Sequence, residues 1–199
     1  MKARIKRATA QTIHQIWAGG APNKAVLAAL RNSNSILNRN ATVIWPLLIS
    51  NLEKKDLSRN GEPTYAEKAV YAALRCYAIY QQGNDEQCVY APTDYQNGEY
   101  NDLFTALAAL RRDTAIQEAL DRRVQVVLGN SNADSIINAL YHLVAILKSK
   151  EAQRKIDFAQ LGQELYYIQL NRESARQVCL RWGQQYYRID DQKQSKKEK

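Results

Sequence analysis

The 199-residue chain is 45% hydrophobic and 24% charged, a composition that excludes a disordered chain and allows one domain or two small packed ones. Its net charge of +8 is shared equally between residues 1–100 and 101–199, so it does not come from a basic tail alone. Three widely spaced cysteines without a CxxC pair do not suggest a disulfide framework or a structural zinc site. A basic folded body attracts polyanions such as nucleic acids, although it is equally typical of a merely soluble protein.

The first half of the chain reads as helices that glycine and proline separate. Apolar spacing predicts a helix over Ala8–Ala18, ended by Gly19 and Gly20, and another that has Pro22 in its first turn. A polar loop follows over Asn32–Asn40. We then expect a short helix from Pro46 through Leu52.

The next helix has the clearest start signal in the sequence. Thr64 and Glu67 have the spacing of a capping box, in which each side chain satisfies a backbone N–H at the helix start. The apolar stripe continues to about Gln82, and Gly83 stops it. Residues 83–99 contain Gly, Pro, Asn, Asp and tyrosine without periodicity, so they predict a long loop.

The second half predicts regular helices with short connections. The predicted segments are Asp102–Arg112, Thr114–Leu128 with Gly129 at its C-cap, Ala133–Lys148, a helix capped by Asp157 and a last one capped by Asn171. Short connections between long helices are typical of a bundle. We therefore predict an all-α fold of about eight or nine helices that can divide into two packed halves.

The expected organisation has three parts. Residues 1–100 form an N-terminal helical half that includes the loop at 83–99, residues 101–190 form a C-terminal helical bundle, and residues 191–199 form a basic disordered tail. No apolar stretch is long enough to cross a membrane, and no apolar signal region follows the basic start. We expect a cytoplasmic protein without a membrane partner.

The residues that catalysis needs are scarce. His14 and His142 have no carboxylate or cysteine at ligand spacing, and no phosphate-cradling or hydrolase motif occurs. Asp190 and Asp191 are adjacent carboxylates without further ligands. We expect no enzyme, no catalytic residues, no metal and no cofactor.

The basic residues are better organised and are the candidate nucleic-acid-binding set. Two doublets lie eleven residues apart, and a looser group lies near the N-terminus: Arg111, Arg112, Arg122 and Arg123, with Lys24, Arg31 and Arg39. Arginine suits phosphate because its planar fork donates two parallel hydrogen bonds. A further basic group, Lys148, Lys150, Arg154 and Lys155, surrounds one loop. The alternative for each residue is a solvated helix face.

Paired tyrosines allow a second kind of contact. Tyr166-Tyr167 and Tyr186-Tyr187 have the chemistry of base-stacking side chains. One member of each pair lies on an apolar helical stripe, so packing between helices is the favoured interpretation.

Several segments occur in a distinctive order along the chain: Trp17, AALRNS (Ala28–Ser33), EKAVYAALRCYAIYQ (Glu67–Gln81), LFTALAALRR (Leu103–Arg112), ALDRRVQVVLG (Ala119–Gly129), IDFAQLGQELYYIQ (Ile156–Gln169) and LRWGQQYYR (Leu180–Arg188). Their succession, over about residues 11–188, resembles the CasB family, the small subunit of the type I-E Cascade CRISPR surveillance complex. The family commonly has LRR near its N-terminus, whereas Asn32 follows Arg31 here, which leaves Arg31 as the candidate contact.

The resemblance implies a non-catalytic role in a crRNA-guided complex. Such subunits are helical, associate head-to-tail with a second copy, and pack against the backbone and large subunits. Their basic surface holds DNA strands of the crRNA–target R-loop, and the guide RNA supplies sequence specificity. The alternatives are a stand-alone helical DNA- or RNA-binding regulator and a structural subunit whose charge faces protein partners.

Overall fold

The computed structural model describes residues 3–188, which contain nine α-helices and two 3₁₀ helices. The α-helices are α1 (Arg4–Ile16), α2 (Lys24–Asn32), α3 (Trp45–Asn51), α4 (Tyr65–Gln81), α5 (Leu103–Leu110), α6 (Thr114–Gly129), α7 (Ala133–Lys150), α8 (Phe158–Leu170) and α9 (Arg172–Tyr187). The 3₁₀ helices span Arg39–Ile44 and Lys54–Asp56. Pairing between extended segments in this range is limited to two isolated bridges, Tyr90 with Ile156 and Asp94 with Glu99. The all-α bundle is confirmed.

Side-chain caps fix several helix starts where the sequence predicts them. The capping box of α4 is complete: Glu67 N donates to Thr64 Oγ1 at 3.1 Å, and Thr64 N donates to Glu67 Oε2 at 2.7 Å. Asp157 and Asn171 cap α8 and α9 by accepting hydrogen bonds from backbone N–H groups of the first turn. These three boundaries are local properties of the chain.

Several predicted boundaries differ from the structure, and two of the differences have clear physical causes. Helix α1 begins at Arg4 and not at Ala8, because ion pairs to distant carboxylates and burial of Ile5 hold its first turn. Pro22 lies outside α2, which Asn23 caps. The segment predicted as a loop over Asn32–Asn40 ends in the 3₁₀ helix at Arg39–Ile44, and α6 includes Gly129, which leaves Asn130 at the C-cap.

A single hydrophobic core joins helices from both sides of residue 100. Helix α4 is buried around most of its circumference and packs mainly against α8, which also contacts α1. A Cβ on Gly162 of α8 would lie 2.7 Å from Thr9 Oγ1 of α1, so glycine permits this close approach. In α7, Leu140, Leu143, Val144 and Leu147 are buried as predicted.

The segment between α4 and α5 is long but well anchored. Ile156 N donates to Val89 O at 2.9 Å, and Asp157 N donates to Asn101 O at 2.7 Å. Asp94 and Glu99 exchange backbone hydrogen bonds of 2.9 and 2.8 Å and form a small hairpin. This hairpin places Tyr95 and Tyr100 beside α5 and the end of α9. No helix within residues 3–188 is long and apolar enough to cross a membrane.

Candidate nucleic-acid interface

A groove of about 770 Å³ opens between the hairpin, α5 and the last turns of α9. We call it the arginine–tyrosine groove, after the side chains that line it: Arg111, Arg112, Arg154, Arg181 and Arg188, with Tyr95, Tyr100, Tyr186 and Tyr187. The small side chains of Ala108 and Ala109 on α5 also contribute to its wall. Cations and aromatic rings line the same concave surface, a combination typical of grooves that track a nucleic-acid strand.

Arg111 is held at the edge of the groove by α6. Its Nε and Nη2 donate to the two carboxylate oxygens of Asp121 at 2.7 and 3.1 Å, while its guanidinium lies 5.1 Å from the ring centre of Tyr187. The hydrogen bond from Arg111 holds the pKa of Asp121 below its ordinary value, and the Tyr186 hydroxyl contributes in the same direction. Arg111 therefore carries a fixed orientation and a partly neutralised charge.

Arg181 is anchored from beneath by a buried carboxylate. Its Nη2 lies 3.2 Å from Oε1 of Glu164, whose other oxygen accepts a 2.6 Å hydrogen bond from Trp182 Nε1. Trp182 is fully buried and stacks on Phe104 with ring centres 4.7 Å apart. Burial raises the pKa of Glu164, although Arg181 and Trp182 oppose that shift. This side of the groove is thus continuous with the hydrophobic core.

The hairpin contributes the aromatic rings. Tyr95 Oη lies 2.9 Å from each carboxylate oxygen of Asp102, the buried N-cap residue of α5. Burial raises the pKa of Asp102, and the hydrogen bond from Tyr95 opposes that effect. The rings of Tyr95 and Tyr100 are tilted by 59° with centres 5.6 Å apart, and both residues are about half exposed.

The remaining lining arginines are less restrained. The one ion pair of Arg154 with a described residue is a 3.4 Å contact with Glu151, three residues earlier. Arg112 is exposed and makes no ion pair or side-chain hydrogen bond with any residue between 3 and 188. Arg112 and Arg188 are therefore the groove cations that no internal partner neutralises within the described residues, and Arg112 lies directly after α5, which forms part of the groove wall.

The second doublet lies outside the groove. Arg122 is exposed on α6 and pairs with Glu118 one turn earlier at 2.8 Å, and Arg123 donates to the carbonyl oxygen of Ala119 at 3.1 Å. Although α5 and α6 bring Arg111 against Asp121, the doublets do not line one cavity.

The N-terminal candidates also lie away from the groove. Lys24 pairs with Asp85 at 2.6 Å, with both side chains more than half exposed, and Arg39 is exposed. Arg31 reaches the carbonyl oxygen of Ala78 at 3.4 Å. Burial and the charge of Arg31 lower the pKa of Lys148, so these two cations lie near one another without a carboxylate ion pair in the described part of the chain.

Sequence reasoning missed much of the groove. Arg181, Arg188, Tyr95 and Tyr100 were not candidates, because they come from separate segments that only the tertiary fold unites. Arg154 belongs to the basic group that the sequence places around the loop near residue 150. Members of the two tyrosine pairs lie in different environments. Tyr186 is buried, and Tyr187 borders the groove. Tyr166 lies outside the groove and accepts a hydrogen bond from Arg4.

Residues 3–188 contain no group of three or more His, Cys, Asp or Glu side chains that could hold a metal ion. Asp190 and Asp191, considered above as a carboxylate pair, lie outside the described residues, as does the predicted tail at 191–199.

Fold and groove define an all-helical protein with a basic, aromatic-lined surface. The family model for CRISPR-associated protein Cse2 matches residues 26–187. The chain therefore belongs to the CasB (Cse2) family, which confirms the resemblance drawn from its segments.

A solved structure of similar fold accompanies this match. The crystal structure of CasB from Thermobifida fusca superposes with a TM-score of 0.67 at 21% sequence identity, covering 92% of this chain and 97% of that one. At this identity the likeness shows the shared fold. No curated protein sequence matches the chain significantly.

Proposed function

We propose that this chain is a non-catalytic small subunit of a type I-E Cascade complex and that it holds DNA strands of the R-loop. Family membership supports the assembly, and the arginine–tyrosine groove is the observation that carries the binding role. Sequence specificity then resides in the guide RNA, because contacts to phosphate position a strand without reading its bases.

The charge balance of the groove supports phosphate binding. Among residues 3–188, five arginines line it, and the one lining carboxylate, Asp102, is buried and hydrogen-bonded to Tyr95. Arginine is the side chain best suited to phosphate, because its donors are fixed in a plane. Arg111 and Arg181 are positioned by internal carboxylates, so they are pre-organised, while Arg112 and Arg154 supply the less neutralised charge.

The other predicted cations extend the binding surface in this proposal. Arg122, Arg123, Lys24, Arg31 and Arg39 lie outside the groove and contribute to a longer path for the strands. The ion pairs of Lys24 and Arg122 are solvent-exposed. Exposed pairs contribute little to stability, so a phosphate can replace the carboxylate at low cost.

Exposed apolar side chains support contacts with protein partners. Leu37, Val43 and Ile49 are exposed near the 3₁₀ helix at Arg39–Ile44 and α3, and Val126 and Leu180 are exposed on α6 and α9. In the proposed assembly the backbone subunits, the large subunit and a second copy of this chain cover such residues. The proposal places the complex in the cytoplasm.

Charge reversal at Arg112 tests the binding role. In a reconstituted complex with guide RNA, Arg112→Glu should weaken R-loop formation about tenfold or more, because it removes a charge-assisted contact and adds repulsion. Guide-RNA loading and helix content should not change. Arg59→Glu is the matched control: Arg59 is exposed, lies outside the groove and undergoes the same change of charge.

The measurement also separates the alternatives. Equal R-loop stability in Arg112→Glu and Arg59→Glu complexes would contradict binding through the groove. A strong preference of the isolated chain for one duplex sequence would instead favour a stand-alone regulator, since phosphate contacts alone confer no such preference.

A further inference from the structure

We propose that Tyr95 and Tyr100 form a base-stacking platform, so that the groove selects nucleic acid with unpaired bases over duplex. This inference rests on the proposed binding function of the groove and assigns it a ligand class. A single strand offers the faces of its bases to aromatic rings, whereas in a duplex those faces are stacked within the helix.

The two rings are exposed to solvent, and the hairpin holds them in a fixed position. Tyr95 is 57% exposed and Tyr100 49% exposed, although each carries a large apolar ring. Their ring centres are 5.6 Å apart, and the hairpin that carries them is closed by the two Asp94–Glu99 backbone hydrogen bonds. A rigid platform loses little conformational entropy when a base stacks on it.

The hydroxyl of Tyr95 fixes the position of the platform. It binds both oxygens of Asp102, whose backbone carbonyl also accepts the first-turn hydrogen bond from Ala106 N in α5. Because of this contact, a structural role alone is enough to explain the presence of Tyr95. Tyr100 has no comparable structural role, because its hydroxyl makes no hydrogen bond within the described residues and its ring is half exposed. Tyr100 is therefore the residue at which base stacking is best tested.

The platform lies beside the phosphate-binding cations. Tyr95, Tyr100, Arg112 and Arg154 line the same groove. A strand lying there can direct its phosphates toward the arginines and its bases toward the rings, which is the division of contacts in proteins that bind single strands.

The tyrosines of α9 do not serve the same purpose. Tyr186 is buried, and its hydroxyl donates to Asp121 at 2.7 Å. Tyr187 is packed edge-on against Tyr186 and lies 5.1 Å from the Arg111 guanidinium. These rings hold Arg111 in place, and Tyr187, at 37% exposed, presents less of its surface than Tyr95 or Tyr100, which leaves the hairpin as the main stacking surface.

The test compares three probes of equal length on the full chain. They are a single-stranded oligothymidylate, the same backbone with abasic sugars, and a DNA duplex. Tyr100→Leu removes the aromatic face but keeps an apolar side chain, and Tyr100→Phe keeps the face and removes the hydroxyl. Thermal unfolding of each variant checks that the fold is intact.

We expect Tyr100→Leu to weaken oligothymidylate binding about 5- to 150-fold, the range that corresponds to one stacked base. Binding of the abasic and duplex probes should not change, and Tyr100→Phe should bind all three probes like the parent chain. A 5-iodouracil oligonucleotide should photo-crosslink to Tyr100 in the parent chain.

Several results would overturn the inference. Equal binding of oligothymidylate by Tyr100→Leu and the parent would do so, as would equal losses for all three probes. Retained oligonucleotide binding with loss of assembly into the complex would identify Tyr100 as a protein contact. If Arg112→Glu left every probe bound as before, the proposed function of the groove would fail, whereas an effect of Arg112→Glu alone would remove only the stacking platform.

Discussion

The groove and the outer face of α6 use the same side chain in different ways. In the groove, Arg111 and Arg181 are held by Asp121 and by the buried Glu164, and both carboxylates also bind an aromatic side chain. On α6, the single partner of Arg122 in the described part of the chain is Glu118, in a contact whose two side chains are both exposed to solvent. The first arrangement is linked to the core, and the second is local to one helix.

This difference distinguishes arginines that the fold positions from arginines that only supply positive charge. An arginine held by internal partners presents its remaining donors in a fixed geometry, which favours a particular ligand path. An arginine in an exposed pair provides charge with little orientation, because long side chains in water exchange partners readily. Adjacent arginines in a sequence therefore do not by themselves identify a site.

Trp182→Ala should have the largest effect, since this side chain links the groove to the core. Trp182 is fully buried, stacks on Phe104 and donates to Glu164. Removing it should lower the free energy of unfolding by about 3–5 kcal/mol, from the cavity and the missing packing, with Glu164 left short of a donor. Urea unfolding monitored by circular dichroism measures the change.

The neighbouring Leu180 gives the matched control. It lies on the same helix but is 65% exposed, so Leu180→Ala should change the free energy of unfolding by less than about 0.5 kcal/mol. Similar losses for the two variants would show that the groove is no more dependent on the core than the exposed face is.

The sequence predicts the parts of this fold that local chemistry determines. The capping box at Thr64 and the caps at Asp157 and Asn171 are correct because each is complete within four residues. The start of α1 is wrong because its stabilising partners are distant: Arg4 binds Asp56 and Lys6 binds Asp157.

The candidate site divides along the same line. Arg111 and Arg112 are visible as a doublet and do line the groove, but Arg122 and Arg123, equally visible, do not. Arg181 is isolated in the sequence, and only its pairing with Glu164, seventeen residues earlier on another helix, shows where it lies. Its helical spacing alone marks it as a surface residue.

The two anchoring carboxylates should respond to pH in opposite directions. Hydrogen bonding lowers the pKa of Asp121, so its contribution to stability is present above its ordinary value of 3.8 and is lost as the pH falls through the lower folded value. Burial raises the pKa of Glu164, so its contribution is present below its ordinary value of 4.5 and is lost as the pH rises through the raised folded value.

The variants Asp121→Asn and Glu164→Gln separate these contributions. Asp121→Asn should lower the free energy of unfolding by about 1–2 kcal/mol at neutral pH. This deficit should shrink as the pH falls below 3.8, the ordinary pKa of Asp121. Glu164→Gln should gain stability relative to the parent chain as the pH rises from 4.5 toward neutrality. Unfolding curves recorded across this range check both slopes, and slopes of the same sign would contradict the assignment.

The salt dependence of binding should give the smallest effect and the most direct comparison of the two surfaces. Removal of one phosphate-binding cation reduces the log–log slope of affinity against salt by about 0.7 for a single strand or 0.9 for duplex DNA, which is about a threefold change in affinity over a fourfold range of salt. Arg112→Ala should lower the slope for a single strand by the full amount for one phosphate, because Arg112 has no ion pair to replace within the described residues. Arg122→Ala should lower it by less, since any phosphate there first displaces Glu118. Titrations of an oligothymidylate at several salt concentrations, with Arg59→Ala as the control, measure the three slopes. If Arg122→Ala lowers the slope as much as Arg112→Ala does, the outer face of α6 binds the strand as directly as the groove, and a place in the groove does not decide where the nucleic acid lies.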